Sequence, residues 1–196
     1  MEYLCYNLDT VPIAVQEETI LTAEELTRYA NRPSYSKTAR ILLKQELERR
    51  TGCPAQQIEL RYNEHGKPYY PGIFFNISHS ANILCMAFHH AEIGVDIQKK
   101  RRNARIEELA KRIMCEAQWL AFRKLGCPED AFYESWCIAE ALVKHAGATI
   151  WQAQDFPFIL HPEHVELLCD NTLTVERFRP ISDFYGAVAY TNTACT

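Results

Sequence analysis

The chain changes its hydrophobic period three times, and that alternation narrows the folds open to it. Ala39, Leu43 and Leu47 stand four residues apart, so one helix face carries all three. The spacing predicts a helix over about Ser36 to Arg50, stopped by Gly52 and Pro54. Thr22 to Glu25, ahead of Leu26, reads as a capping box opening an earlier helix, with a lead-in before it. "IELRY", "IFFNIS", "ILCMAF" and "IGVDI" are short β-branched or aromatic runs divided by turn residues, and they read as strands. From Asn103 to about Gly147 the period is helical again, broken at Gly126-Cys127-Pro128. Strand-like runs return at "FPFIL", "TLTVERF" and "FYGAVAY". Helices, strands, helices, strands in that order predict an α+β fold in two halves rather than a doubly wound sheet.

With 196 residues, 47% of them hydrophobic, the chain can build one large core or two smaller ones. Its formal charge of −4 provides no global basic field, which argues against nucleic acid as a partner. "MEYLCYNLDT" has neither a basic start nor an apolar stretch, and no apolar run has the length of a membrane span. A cytoplasmic protein without membrane contact is expected. Cys5, Cys53, Cys85, Cys115, Cys127, Cys137, Cys169 and Cys195 include no C-x-x-C pair and are expected as reduced thiols. Cys85 with His89 and His90 is the nearest approach to a zinc cluster.

Four constellations could carry chemistry. "HGKPYYPG", His65 to Gly72, is a turn with a cation, Lys67. "NISHS", Asn76 to Ser80, crowds hydroxyls, an amide and an imidazole where a strand is expected to end; such clusters bind phosphate or ribose, or simply make turns. In "IGVDI", alternation points Asp96 away from Ile93, Val95 and Ile97. Such a carboxylate faces solvent or binds a hard cation such as Mg²⁺, and Gln98 shares its face. In "WCIAEALVK", Trp136, Glu140 and Lys144 share one helix face. Taken alone, Glu140 and Lys144 read as a surface ion pair worth about 0.3–0.5 kcal/mol.

"GKP", "SHS", "GVDI" and W-x-x-x-E-x-x-x-K, in this order, resemble the 4'-phosphopantetheinyl transferases of the surfactin type. The resemblance runs from about Arg32 to Trp151 and includes "TARILL", Thr38 to Leu43. It implies a pseudo-dimer of two similar halves, each a small antiparallel sheet packed with helices. Residues 1–94 would bind coenzyme A, residues 95–196 would carry the metal and catalytic residues, and the site would lie between them. The implied reaction transfers the phosphopantetheine arm of coenzyme A to a serine of an acyl or peptidyl carrier protein and releases 3',5'-ADP. Asp96, Glu140 and Gln98 would hold Mg²⁺. Glu140, or a water it holds, would act as base, and Lys144 would neutralise the leaving phosphate. His79, with Arg40 and Arg32 beside it, would contact the 3'-phosphate. Lys67, Ser78 and Lys37 would complete the coenzyme A site. Size suits the broad-range branch and a monomer.

Two positions depart from the pattern. Ala139 stands where the family helix has lysine, and Gln98 where a second acid follows "GVD-I". They leave open a catalytically weakened module that binds coenzyme A or carrier. "KKRRNAR", with Lys99, Lys100, Arg101, Arg102 and Arg105, reads as a solvated loop, a nucleic-acid patch, or a surface that steers an acidic carrier. Ile113, Met114, Trp119 and Leu120 behind it read as core or as contact surface.

Overall fold

The computed structural model describes residues 1–11, 17–101, 105–126, 128–168 and 172–192. Arg102, Asn103, Cys127, Cys169 and Cys195 lie outside them. The chain begins with β1 (Glu2–Asn7), α1 (Ala23–Tyr29), α2 (Ser34–Thr51), the short strands β2 (Arg61–Tyr62) and β3 (Pro68–Tyr69), then β4 (Phe74–Ser80) and β5 (Ile83–His89). It continues with β6 (Ile93–Lys99), α3 (Ile106–Ile113), α4 (Glu116–Lys124) and α5 (Glu129–His145). It closes with β7 (Phe158–Leu160), β8 (Val165–Leu167), β9 (Leu173–Phe178) and β10 (Phe184–Thr191). A strand, helices, a two-stranded ribbon and a hairpin thus follow one another twice. The sheets are β1-β5-β4 and β6-β10-β9, with β2-β3 and β7-β8 as small ribbons. Every pairing is antiparallel, as the α+β reading requires.

The predicted capping box opens α1: the Thr22 hydroxyl accepts from the Glu25 N–H, and Glu25 accepts from the Thr22 N–H. Glu25 has a second task. Its Oε2 also accepts from Lys44 Nζ at 2.7 Å, and Lys44 on α2 is fully buried. The pair pins α1 to α2 over a small cluster of Ile20, Leu21, Ile41 and Ala55. Gly52 ends α2 at φ 73°, where a side chain would be strained.

Alternation on β4 and β5 serves two cores. Phe75, Leu84, Met86 and Phe88 pack on Leu42, Leu43 and Leu47 of α2. The other face of β5, with Ile83, Cys85 and Ala87, packs on Ile93, Val95 and Ile97 of β6 and Val188 of β10. A third core joins Tyr185, Ala187 and Ala189 of β10 to α3 and α5. Each half therefore has its own core, and the sheets share one between them.

Four local features differ from expectation. The lead-in contains a strand, β1, whose alternation is blunted because Tyr3 and Cys5 are exposed. Only Arg61 and Tyr62 of "IELRY" pair, while Ile58 is buried under α2. The third helical stretch has an extra break at Met114, where Gln118 caps the Cys115 N–H. A short strand, β8, precedes β9.

Replacing Glu25 by alanine strands the Lys44 ammonium in the core. We expect a loss of about 3–5 kcal/mol, read as a lower urea midpoint at unchanged slope. Glu25→Gln should lose less.

Candidate active site

The site is built where β4, β6 and α5 meet. Asn76, Ser78 and Ser80 lie on one face of β4, directed at the outer edge of β6. The N–H groups of Val95, Ile97 and Lys99 donate to Asn76 Oδ1 (2.9 Å), Ser78 Oγ (3.4 Å) and Ser80 Oγ (3.0 Å). "NISHS" is therefore the body of a strand whose alternate polar side chains cap a neighbouring strand edge. The strand expected to end within this stretch runs on to Ser80, so of the two readings the turn is corrected.

On the other side of β6 lies α5, and Gly94 permits the contact. A Cβ at residue 94 would stand 2.0 Å from the Ala141 carbonyl oxygen and 2.4 Å from the His145 nitrogen. Asp96, two residues on, shares that face and meets α5 one turn earlier. Its carboxylate is almost fully buried. Oδ1 accepts from Ser78 Oγ (2.7 Å) and Lys144 Nζ (2.6 Å), while Oδ2 accepts from Gln98 Nε2 (3.3 Å). Lys144 also donates to Ser78 Oγ at 3.2 Å.

Glu140, one helical turn before Lys144, lines a cleft of about 300 Å³ with Lys144, Lys67, Asn76, Ile77 and Thr149. Burial pushes its carboxyl above the usual glutamate range; Lys144 opposes the shift and Asp96 adds to it. Lys67 reaches the cleft from the β2–β3 turn. Its ammonium donates to the carbonyls of Lys144 (2.9 Å) and Ile93 (3.3 Å) and pairs with Glu92 at 3.1 Å. It thus ties the end of α5 to the start of β6.

The remaining expected residues lie elsewhere on the first half. Arg40 is buried, with its guanidinium between the rings of Tyr29 and Tyr62 and donating to both hydroxyls. Its Nη1 is buried without a partner among the described residues. Lys37 pairs with Glu17 at 2.8 Å, and Arg32 is exposed between α1 and α2. His79 is exposed on the face of β4 opposite Ser78. Ser80, Glu92 and Gly94 stand within the stretches singled out in the sequence, but their roles as supports of the site were not assigned there. The period-two pattern N-x-S-x-S could have revealed Ser80.

Carboxylate and amide oxygens suit a hard divalent cation. Burial, with Asp96 adding to it, raises the Glu140 carboxyl, a cost that a cation would offset, while Asp96 has the Lys144 ammonium as its present counter-charge; these two carboxylates are the donors that would hold such an ion. Gln98 would have to turn its oxygen toward it, because its amide nitrogen now faces Asp96. The zinc alternative is corrected. Among the described residues no three or more His, Cys, Asp or Glu side chains converge. Cys85 and His89 are separated by roughly 13 Å of extended strand. Five described cysteines are free thiols.

The basic segment is partly neutralised: Lys100 pairs with Asp130, and Arg105 with Glu108. Ile113 and Met114 are core, whereas Leu120 is 49% exposed. No helix among the described residues is long and apolar enough to cross a membrane.

Residues 92–185 match the 4'-phosphopantetheinyl transferase superfamily. The chain is 30% identical over 157 residues to the 4'-phosphopantetheinyl transferase HetI of Nostoc sp., covering 72% of this chain and 66% of that one. It is 30% identical to the 4'-phosphopantetheinyl transferase gsp of Aneurinibacillus migulanus, covering 63% and 54%. It is also 30% identical to the 4'-phosphopantetheinyl transferase Sfp of Bacillus subtilis, covering 55% and 49%. The matches span about half to two thirds of the length of these relatives. The chain belongs to the 4'-phosphopantetheinyl transferase superfamily.

Gly94→Ala tests the packing of α5. A side chain there meets helix backbone, and overpacking costs about 1–3 kcal/mol or more. We expect a lower melting midpoint and amide chemical-shift changes concentrated on Ala141 to His145. Wild-type stability and unchanged α5 shifts would refute the close approach.

Proposed function

We propose that this chain transfers the 4'-phosphopantetheine arm of coenzyme A to a serine of an acyl or peptidyl carrier protein, releasing 3',5'-ADP. One observation carries the reading. A buried carboxylate, Asp96, is bound by a cation, Lys144, beside a second carboxylate whose proton affinity is raised, Glu140. The named relatives support the same reaction, and two of them favour the surfactin-type branch.

In this reading Glu140 accepts the proton of the carrier serine, a role that a raised carboxyl suits. The serine oxygen then bonds to the phosphorus bearing pantetheine, and the pyrophosphate bond breaks. Lys144, pre-positioned by Ser78 and by the Lys67 bond to its carbonyl, stabilises charge on the leaving phosphate. Asp96, Glu140 and, once turned, Gln98 would hold Mg²⁺. When bound, that ion supplies charge neutralisation on the pyrophosphate. Arg40, Arg32, Lys37 and His79 are assigned to the coenzyme A 3'-phosphate and its surroundings, with Lys67 and Ser78 nearer the reacting centre.

We infer further that the two halves form a pseudo-dimer, since the same succession of elements occurs twice. The expected 94/95 division falls inside β6, so we draw it at the turn between β5 and β6. A cytoplasmic monomer without nucleic-acid or membrane partners completes the reading.

A second reading, a weakened binding module, draws on Gln98 and Ala139. Ala139 is buried in the helical core of the second half, so a lysine there would have to thread its stem out of that core.

The test incubates apo carriers with coenzyme A and Mg²⁺ and weighs the products. We expect a gain of one phosphopantetheine, lost on chelation. Glu140→Gln should cost about 10²–10⁴-fold in rate and Lys144→Met about 10²–10³-fold. A wild type that binds coenzyme A but modifies no carrier, while Gln98→Glu restores transfer, would favour the weakened module.

A further inference from the structure

We propose that Cys5 and Cys85 form a thiol-oxidation site, closing into a reversible cross-strand disulfide on meeting a low-molecular-weight disulfide. The residues are direct partners in the β1–β5 register, with sulfurs 3.3 Å apart. Backbone bonding indicates which type of pair they are. The Leu8 N–H donates to the Asn82 carbonyl at 2.7 Å, continuing the same register. Bonded and non-bonded pairs alternate along an antiparallel ladder, so Leu8/Asn82 and Tyr6/Leu84 are bonded pairs and Cys5/Cys85 is a non-bonded pair. The Cα separation in such pairs is about 4.5 Å, at the near end of the roughly 4.4–6.8 Å that a disulfide spans.

The two thiols have different access. β1 is a sheet edge and Cys5 is exposed on it, whereas Cys85 is buried between the sheets. The contact with Cys85 lowers the Cys5 pKa, while the same contact and burial raise that of Cys85. Exposure makes Cys5 the attacking thiolate and burial makes Cys85 the resolving group, and the two pKa directions agree with that order. Cys5 attacks one sulfur of the small disulfide, breaking its S–S bond. A mixed disulfide forms and one small thiolate leaves. The Cys85 thiol passes its proton to that thiolate as its sulfur attacks Cys5, and the second small thiolate leaves. The protein loses two hydrogens, and the small disulfide is reduced to two thiols. Other described cysteines lack this arrangement: Cys137 donates to the Tyr185 carbonyl and Cys53 to that of Pro54.

The pair adjoins the candidate site. Ser78, which holds Asp96 and Lys144, is the β4 partner of Cys85. The bridge would tie β1 to the strand that backs this serine.

The test equilibrates the full chain in mixtures of reduced and oxidised glutathione, blocks free thiols, and maps the peptides by mass spectrometry. We expect one dominant linked species joining Cys5 to Cys85, reversed by dithiothreitol, with an upward shift in melting midpoint. Cys85→Ala should accumulate glutathione on Cys5. Cys5→Ser should leave Cys85 unmodified and unlinked. The proposal is overturned if wild-type Cys5 stops at the glutathione adduct, if both thiols stay free across the series, or if links scatter among other cysteines.

Discussion

The site depends on a join between two sheets that is not itself a sheet ladder. β4 and β6 lie at the edges of separate sheets, and an open edge leaves N–H groups unpaired. Asn76, Ser78 and Ser80 answer that need from the side, each accepting one N–H of β6. Buried donors without partners would cost about 1–3 kcal/mol each, so the seam is specified by polar side chains rather than by greasy packing alone. The apolar residues of β5 and β6 next to it supply burial, and the polar row supplies register.

That register delivers Ser78 to Asp96. A buried carboxylate is tolerated only with charge or hydrogen bonds around it, and this one has both, from β4, β6 and α5. Gly94 brings α5 close enough for Lys144 to serve as the counter-charge. Lys67 then fastens the helix end to the beginning of β6. The same contacts that stabilise the join therefore shape the cleft on which Glu140 opens.

Much of this was legible in the sequence, for local reasons. A capping box, a glycine stop and short β-branched or aromatic runs each act within a few residues: the box at Thr22, the stop at Gly52 and the strands of "IFFNIS", "ILCMAF" and "IGVDI" stand in the fold, whereas "IELRY" pairs only at Arg61 and Tyr62. "GVDI" and the helix from Trp136 to Lys144 identified the site through resemblance. Their physical link is long-range: Gly94 is required by helix backbone almost fifty residues away. β1 escaped notice because it pairs with β5 at a sheet edge and half its side chains face out. The polar row of β4 reads in the sequence as a phosphate-type cluster or a turn because serine and asparagine favour turns locally, and only a partner edge makes them strand residues. The surroundings of Arg40 were not legible: tyrosines from two other elements accept from its guanidinium, and its Nη1 is buried without a partner among the described residues.

Ala139 shows how the environment changes the meaning of a departure. As a sequence feature it is a cation missing beside a metal site. In the fold it lies in the core beneath α5, one residue from Glu140 but on the apolar side of the helix. Charge compensation at Asp96 comes instead from Lys144, whose stem runs along the helix and whose ammonium reaches the carboxylate directly. A helix that presents Glu140 and Lys144 to the seam and a mostly apolar face to its own core has less conflict to resolve than one that must also route a second lysine outward. Removing Lys144 would then leave Asp96 buried with only neutral donors. Electrostatic demand at this seam therefore converges on one cation, placed where the chemistry would use it.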